Sequence, residues 1–258
     1  MAVRLVVERE REIEAFVPVE YWSLEATLRK HGTGEDEPSF VASLVARDGE
    51  KLSLHTAEEA ELARAHVADA SWSVASVTQR QQQRNPAPPF TTSTLQQEAS
   101  RKLHFGARRT MATAQQLYEG VAIDGEMVGL ITYMRTDSVT VAESAQQEAR
   151  AFILERIGAP YVPPKPRVYK NRNALAQEAH EAIRPTSIRR LPAAMKAFLT
   201  PDQARLYELI WKRFLASQMA AAVFDVTTVD VDAIRAGAPR YRFRATGSRP
   251  RFLGFMRL

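Results

Sequence analysis

Tyr133 stands two residues before Arg135 in the stretch Gly129-Leu-Ile-Thr-Tyr-Met-Arg-Thr-Asp-Ser138. An apolar run leads into a polar one there, and in an extended segment residues two apart project toward the same side. A nucleophilic oxygen beside a permanent cation is the minimum equipment for attack on a phosphodiester. A phenol titrates near pH ~10, so it needs a nearby positive field or a base to lose its proton. Arg135 supplies such a field and is suited to neutralise phosphoryl oxygens as charge develops on them. A Tyr-x-Arg triple is also compatible with an ordinary half-buried aromatic beside a surface cation, and only the rest of the chain can separate the two.

Further groups with chemical potential lie downstream. His180 and Arg184 are four apart in Gln177-Glu-Ala-His-Glu-Ala-Ile-Arg-Pro185. They would share one face of a short helix over Gln177–Ile183 that Pro185 ends. Spacing alone favours a structural role for His180 over a catalytic one. A loop with four prolines (Pro160 to Pro166) runs into Lys165, Arg167, Lys170 and Arg172, either a solvated loop or a set of phosphate contacts. Residues 235–258 hold seven arginines and no acid. Arg240, Arg242 and Arg244 would share a strand face opposite Tyr241 and Phe243, either solvated or turned toward nucleic acid. Asp230 and Asp232 share a face as well, and we read them as a solvated pair rather than a Mg²⁺ site.

The elements that must position these groups follow from periodicity and punctuation. Residues 2–16 read as a helix without a cap, and Tyr21–Leu28 as strand. Phe40–Ala46 and Lys51–Leu54 flank the hairpin signal Asp48-Gly49, and Thr56 opens a helix to about Ala68 through a capping box. Trp72–Gln79 alternates as a strand, and the polar and proline-rich stretch 79–89 reads as a stiff hinge. Helices are expected from Leu95 to Leu103, from Arg109 to Glu119, from a capping box at Thr140-Val-Ala-Glu143 to Arg156, and from Thr200-Pro-Asp-Gln203 onward. Leu206, Leu209, Ile210 and Phe214 form an apolar stripe on the last of these. Ile123–Val128 reads as a small hairpin leading into Tyr133, while Val223–Ile234, Arg240–Thr246 and Phe252–Leu258 read as strands. The fold class is α+β and multidomain.

At 258 residues the chain has ample length for a core, and 45% hydrophobic with 25% charged residues is the balance of a globular protein. No apolar run approaches the ~20 residues of a membrane span. The absence of cysteine excludes disulfides and thiolate metal sites and fits a reducing cytoplasm. A net charge of +5 permits a nucleic-acid partner. A Walker loop, a GxGxxG turn and His/Cys metal spacings are all missing, so nothing points to ATP chemistry.

Three stretches in order, Pro89-Phe-Thr-Thr-Ser-Thr-Leu-Gln96, Gly129–Ser138 and Gln177–Pro185, resemble the motifs of the type IA DNA topoisomerases. Met134 favours the bacterial topoisomerase I branch over the topoisomerase III relatives. The resemblance runs along essentially the whole chain but covers only the middle of a family member. It implies a helical domain over 92–218 that carries the tyrosine, inserted in a β-rich arch of 18–91 and 219–258. Residues 1–17 would be a stub of the domain that binds single-stranded DNA. The uncapped start and the final apolar stretch read as truncation, and the Toprim domain is expected to be absent.

By the same resemblance Tyr133 becomes joined to a 5′ phosphate of single-stranded DNA, Arg135 offsets transition-state charge, and His180 orients the phosphate. Thr132, Asp137, Ser138, Arg184, Lys170 and Arg172 are implied DNA contacts. Mg²⁺ is implied with its ligands in the Toprim domain, supplied by a separate chain or segment, and ATP is not required. A cytoplasmic, nucleoid-associated enzyme that relaxes negative supercoils is the expectation. The alternative is a non-catalytic module that binds single-stranded DNA or a partner protein.

Overall fold

The computed structural model describes residues 2–32, 37–170 and 181–258. The described chain divides into two units, one of 1–81 with 225–249 and one of 82–224 with 250–258.

The first unit begins with helix α1 (Ala2–Glu14), which buries none of its residues. Strands β1 (Glu25–Leu28), β2 (Phe40–Arg47) and β3 (Glu50–Lys51) follow, with Asp48 and Gly49 both at positive φ in the tight turn between β2 and β3. That conformation is what a two-residue hairpin requires and is why Asp-Gly announces it. Helix α2 (Ala57–Ala68) starts at Thr56, whose side chain accepts from the Glu59 amide. Strand β4 (Ser71–Arg84) is longer than its alternation suggested and runs through Gln79–Arg84, so that half of the expected hinge is strand. The run of glutamines and arginines suits a strand exposed along most of its length.

Helix α2 buries Ala60, Ala63 and Val67. Ala63 and Val67 cluster with Ala42, Ala233, Tyr241 and Phe243, so the small core of this unit lies between the helix and one sheet face. The sheet order is β1-β2-β8-β7-β4, with β3 on β2, where β7 is Ala222–Ile234 and β8 is Tyr241–Phe252. Alternation then turns Asp230, Asp232, Arg242 and Arg244 to the other face. The two aspartates are buried, not solvated, and each is held by a two-pronged guanidinium: Arg242 on Asp232 at 2.8 and 3.0 Å, and Arg244 on Asp230 at 2.7 and 3.0 Å. Hydrogen bonding from those arginines holds both carboxyl groups below the usual carboxylate range, against the opposing effect of burial. The strand arginines are thereby half of an ion-pair ladder.

The second unit is helical. Helices α3 (Thr92–Leu103) and α4 (Ala107–Glu119) lead to the hairpin of β5 (Val121–Ile123) and β6 (Glu126–Val128), whose turn residues Asp124 and Gly125 again take positive φ. Helix α5 (Glu143–Arg156), the short α6 (Pro192–Met195) and α7 (Pro201–Gln218) complete it. The capping box expected at Thr140 does not form. Helix α5 starts after Ala142 with no side-chain cap, and the Thr140 carbonyl instead accepts from the Ala182 amide at 2.8 Å.

At Thr200 the box does form, with Pro201 in the first turn and Gln203 closing it. Leu206, Ile210 and Phe214 of α7 are buried and Leu209 packs at the edge of the same core. Each such side chain contributes on the order of 1.5–3 kcal/mol by leaving water. The core also takes in Phe90, Leu95, Leu117, Leu130, Ile131 and Met134, so the stretch around Tyr133 is anchored in it. Past β8 the chain turns into a 3-10 helix, Gly254–Arg257, where a strand was expected. Gly254 has φ +50°, and a side chain there would collide with the carbonyl of Ala221.

Candidate active site

Three segments far apart in sequence are hydrogen-bonded into one junction. Ile131 forms an antiparallel bridge with Pro185, and Phe90 forms one with Ile183. Backbone bonds run from Thr132 to the Arg184 carbonyl, from Thr186 to Leu130 and from Ile183 to Phe90, all at 2.8–3.0 Å. On the other side the Thr92 amide donates to the Thr136 carbonyl at 2.8 Å. The segment 130–136, which bends at Thr132, Met134 and Arg135, is thus clamped from both sides. Glu181–Ile183, the described end of the stretch expected to be helical, takes part in this pairing rather than in a helix.

Two threonine hydroxyls close the junction. Thr92 Oγ1 donates to the Met134 carbonyl at 2.7 Å and accepts from the Thr136 amide at 2.9 Å. Thr132 Oγ1 donates to the Ala182 carbonyl at 2.7 Å and accepts from the Arg184 amide at 3.0 Å. Downstream, Thr136 Oγ1 accepts from the Ser138 amide and Ser138 Oγ accepts from the Thr140 amide, at 3.0 and 3.1 Å. These are the short side-chain-to-backbone bonds by which Ser and Thr hold irregular chain in place of a ladder.

Clamping sorts the side chains by parity. Met134, Thr136 and Ser138 are buried, the last only 1% exposed, while Tyr133, Arg135 and Asp137 face outward. Tyr133 is 45% exposed and meets the ring of Tyr118 edge-on, with centroids 5.4 Å apart. Arg135 and Asp137 line a cleft of about 390 Å³ with Thr92, Ser93, Gln96 and Thr136, at the first turn of α3. In that turn the Thr92 amide is taken by the Thr136 carbonyl and the Thr94 amide by the Thr91 hydroxyl, so the helix end contributes chiefly the positive end of its dipole. Sequence reasoning placed Asp137 and Ser138 before α5; Ser138 is buried, and the helix end that shares the Asp137 cleft is that of α3.

Asp137 also borders a second cleft of about 590 Å³, which holds Lys170, Arg213, Thr91, Ser93 and Glu98. Burial would raise the Glu98 carboxyl, but Lys102, Arg213 and Arg101 together hold it below its ordinary value. Arg213 lies over the Phe90 ring at 4.5 Å and reaches Glu98 at 3.5 Å. Beside Lys170, the Tyr169 hydroxyl donates to the Ser217 carbonyl at 2.8 Å, and burial pushes it up to about 12 although Arg167 and Arg213 oppose the rise. Tyr169 is therefore a poor nucleophile.

Of the residues singled out from sequence, Arg135, Asp137 and Lys170 line these clefts, whereas Tyr133 lines neither and stands exposed against Tyr118. Thr132 and Ser138 turn their hydroxyls to the backbone. The Arg184 guanidinium is largely enclosed, paired with Glu181 at 2.6 Å and donating to the Pro185 carbonyl. Arg172 and His180 lie outside the described residues. Thr92, Tyr118 and Arg213 were not singled out. Thr92 sat in a motif read for its resemblance as a whole, and Tyr118 is brought to Tyr133 by the hairpin between them. Among the described residues no group of three or more His, Asp or Glu side chains fits a metal ion, and Asp230 and Asp232 are committed to arginine.

The model of the bacterial DNA topoisomerase family matches residues 1–258, and the chain belongs to that family. It is 45% identical over 262 residues to DNA topoisomerase 1 from Xylella fastidiosa strain 9a5c, and equally to that of strain Temecula1 / ATCC 700964. Each match covers 99% of this chain and 31% of the relative. The full-length topoisomerase I of Thermotoga maritima superposes with a TM-score of 0.75 at 37% identity, over 98% of this chain and 38% of that structure. The chain thus spans about a third of the length of these relatives. No helix among the described residues is long and apolar enough to cross a membrane.

Proposed function

We propose that this chain carries the nucleophile of a type IA DNA topoisomerase and acts on single-stranded DNA. The observation that carries this reading is the outward alternation of Tyr133, Arg135 and Asp137 on a segment clamped along both edges, in a chain of the topoisomerase family. The Tyr133 phenol gives up its proton to solvent as its oxygen attacks the phosphorus of a phosphodiester. A bond to that oxygen forms, the bond from phosphorus to the 3′ oxygen breaks, and the 3′ oxygen leaves as a hydroxyl after taking up a proton. The 5′ phosphate stays on the tyrosine, so the energy of the broken link is kept and rejoining by the same hydroxyl needs no ATP. Arg135 offsets the charge on the phosphoryl oxygens. The cleft at the first turn of α3 is suited to a neighbouring backbone phosphate, with Lys170 and Arg213 available beyond Asp137.

His180 is assigned to orienting the phosphate, and Asp137 to orienting Arg135 or His180. Thr132, Ser138 and Arg184 act on DNA through the segment they hold. Arg172 is assigned to the DNA backbone alongside Lys170. We further assign 92–218 as the tyrosine-bearing domain, 18–91 with 219–258 as the arch that swings to let a strand pass, and 1–17 to the domain that binds single-stranded DNA. The described residues furnish no Mg²⁺ site. Its ligands and the proton donor for the 3′ oxygen belong to a Toprim-containing segment. Cleavage in the bacterial cytoplasm, with relaxation of negative supercoils, is the proposed outcome.

The test is to incubate the chain with single-stranded oligonucleotide, Mg²⁺ and a Toprim-containing fragment, then digest the denatured product and weigh its peptides. A nucleotide mass on the peptide containing Tyr133 supports the reading. Binding without any such peptide points instead to a non-catalytic module.

A further inference from the structure

Tyr118 lies in the last turn of α4, and its ring takes no part in the helical core, which α4 reaches through Thr110, Thr113, Ala114 and Leu117. It is 40% exposed, a large aromatic surface left in water beside an equally exposed tyrosine. Three contacts fix where it stands relative to Tyr133. The Leu130 amide donates to the Leu117 carbonyl at 2.7 Å. Gly129 comes so close to the same turn that a side chain on it would lie 2.8 Å from the Tyr118 carbonyl oxygen. The two rings then meet edge to face, with planes 64° apart. The helix end and the tyrosine segment are therefore docked backbone to backbone, and the ring pair sits directly above that dock.

An exposed phenol on an extended segment would ordinarily sample more than one χ1 well. An edge-to-face neighbour on a fixed helix favours one of them, because the positive ring edge of one partner meets the negative face of the other. For a nucleophile this matters, since in-line attack needs the oxygen in one direction and misplacement slows the reaction. We infer that Tyr118 is a positioning residue for Tyr133, holding the phenol in the rotamer from which it attacks. The inference rests on the proposed role of Tyr133 for its catalytic consequence, but not for its conformational one. The Tyr118 hydroxyl has no part in it, so phenylalanine serves as well as tyrosine, whereas leucine, a better helix former but without a ring, does not.

The experiment compares the chain with Tyr118→Phe and Tyr118→Leu, after checking that melting temperatures agree. Three-bond couplings to the ring carbon of labelled Tyr133, assigned with Tyr133→Phe, report its χ1 without any need for activity. A single rotamer in the parent and Tyr118→Phe, with averaged couplings in Tyr118→Leu, supports the inference. Unchanged couplings in Tyr118→Leu overturn it. With the Toprim-containing fragment added, covalent adduct forms roughly 3- to 10-fold more slowly in Tyr118→Leu and at the parental rate in Tyr118→Phe, at unchanged affinity for the oligonucleotide. Equal adduct rates in all three also overturn it. A parent chain that forms no adduct refutes the proposed function instead, and the couplings still decide the role of Tyr118.

Discussion

The Thr92 hydroxyl donates to the carbonyl of Met134, and the same oxygen accepts from the amide of Thr136, so one side chain spans the backbone on either side of Arg135. A residue 41 positions before the proposed nucleophile thus fixes the chain just after it. Thr92→Val keeps the shape and removes both bonds, leaving a half-buried carbonyl and amide unpaired. It should cost about 1–3 kcal/mol of stability in the helical unit and slow adduct formation. Thr92→Ser should restore most of both. Denaturant unfolding with a single-turnover cleavage assay checks the pair of expectations, and equal behaviour of Val and Ser would argue against a hydrogen-bonding role.

Gly129 is required by proximity, not by backbone conformation. A Cβ there meets the Tyr118 carbonyl at 2.8 Å, backbone that cannot swing aside as a flexible side chain would. Gly129→Ala should therefore destabilise the helical unit by about 1–3 kcal/mol, the usual range for overpacking. A fall in melting temperature shows it. Gly125→Ala, a second substitution at positive φ with open space around it, should cost less.

The ion pairs on β7 and β8 predict acid sensitivity of the sheet unit. The carboxyl groups of Asp230 and Asp232 lie below their ordinary 3.8 in the folded protein, mainly through Arg244 and Arg242. Their stabilisation is thus present above about pH 4 and is lost as pH falls through the folded values. Both arginines are partly exposed, so solvent screening limits the effect. Arg244→Ala should remove part of this acid dependence and lower stability at neutral pH, since the buried Asp230 loses its paired guanidinium and, among the described residues, keeps a 3.4 Å contact from Ser76 and the more distant charge of Arg242. Unfolding curves between pH 2 and 7 provide the measurement.

Alkaline pH should act on the other unit. Burial holds the Tyr169 hydroxyl near 12 against an ordinary 10. Its contribution is complete below pH 10 and is lost as pH rises from there through about 12. Tyr169→Phe should flatten the stability profile in that window while costing the bond to the Ser217 carbonyl. Ultraviolet titration of tyrosinate should show one late phase fewer in that variant.

Local chemistry was legible in the sequence where local physics determines it. Asp48-Gly49 and the capping box at Thr200 formed as written, because each is completed within a few residues. Tyr133 and Arg135 are both exposed, but the chain bends at Met134 and Arg135, so their outward placement comes from the clamps around the segment and not from regular extended backbone. The box at Thr140 failed because its amide, which a box would give to Glu143, goes to the Ser138 hydroxyl, while its carbonyl pairs with Ala182, 42 residues away. Asp230 and Asp232 seemed solvated because a carboxylate pair reads alike in either setting until its cross-strand arginines are known. Thr92 and Tyr118 were missed for the same reason, since their partners are assembled by tertiary structure.

The central claim is that Tyr133 takes the 5′ side of a broken DNA strand. Oligonucleotides labelled at the 5′ or the 3′ end should be incubated with the chain, Mg²⁺ and a Toprim-containing fragment, then denatured and resolved. Label retained on the protein only from the 3′-end-labelled strand, and lost in Tyr133→Phe, is the predicted result. Retention of the 5′-end label, or an adduct that survives Tyr133→Phe, would contradict the account.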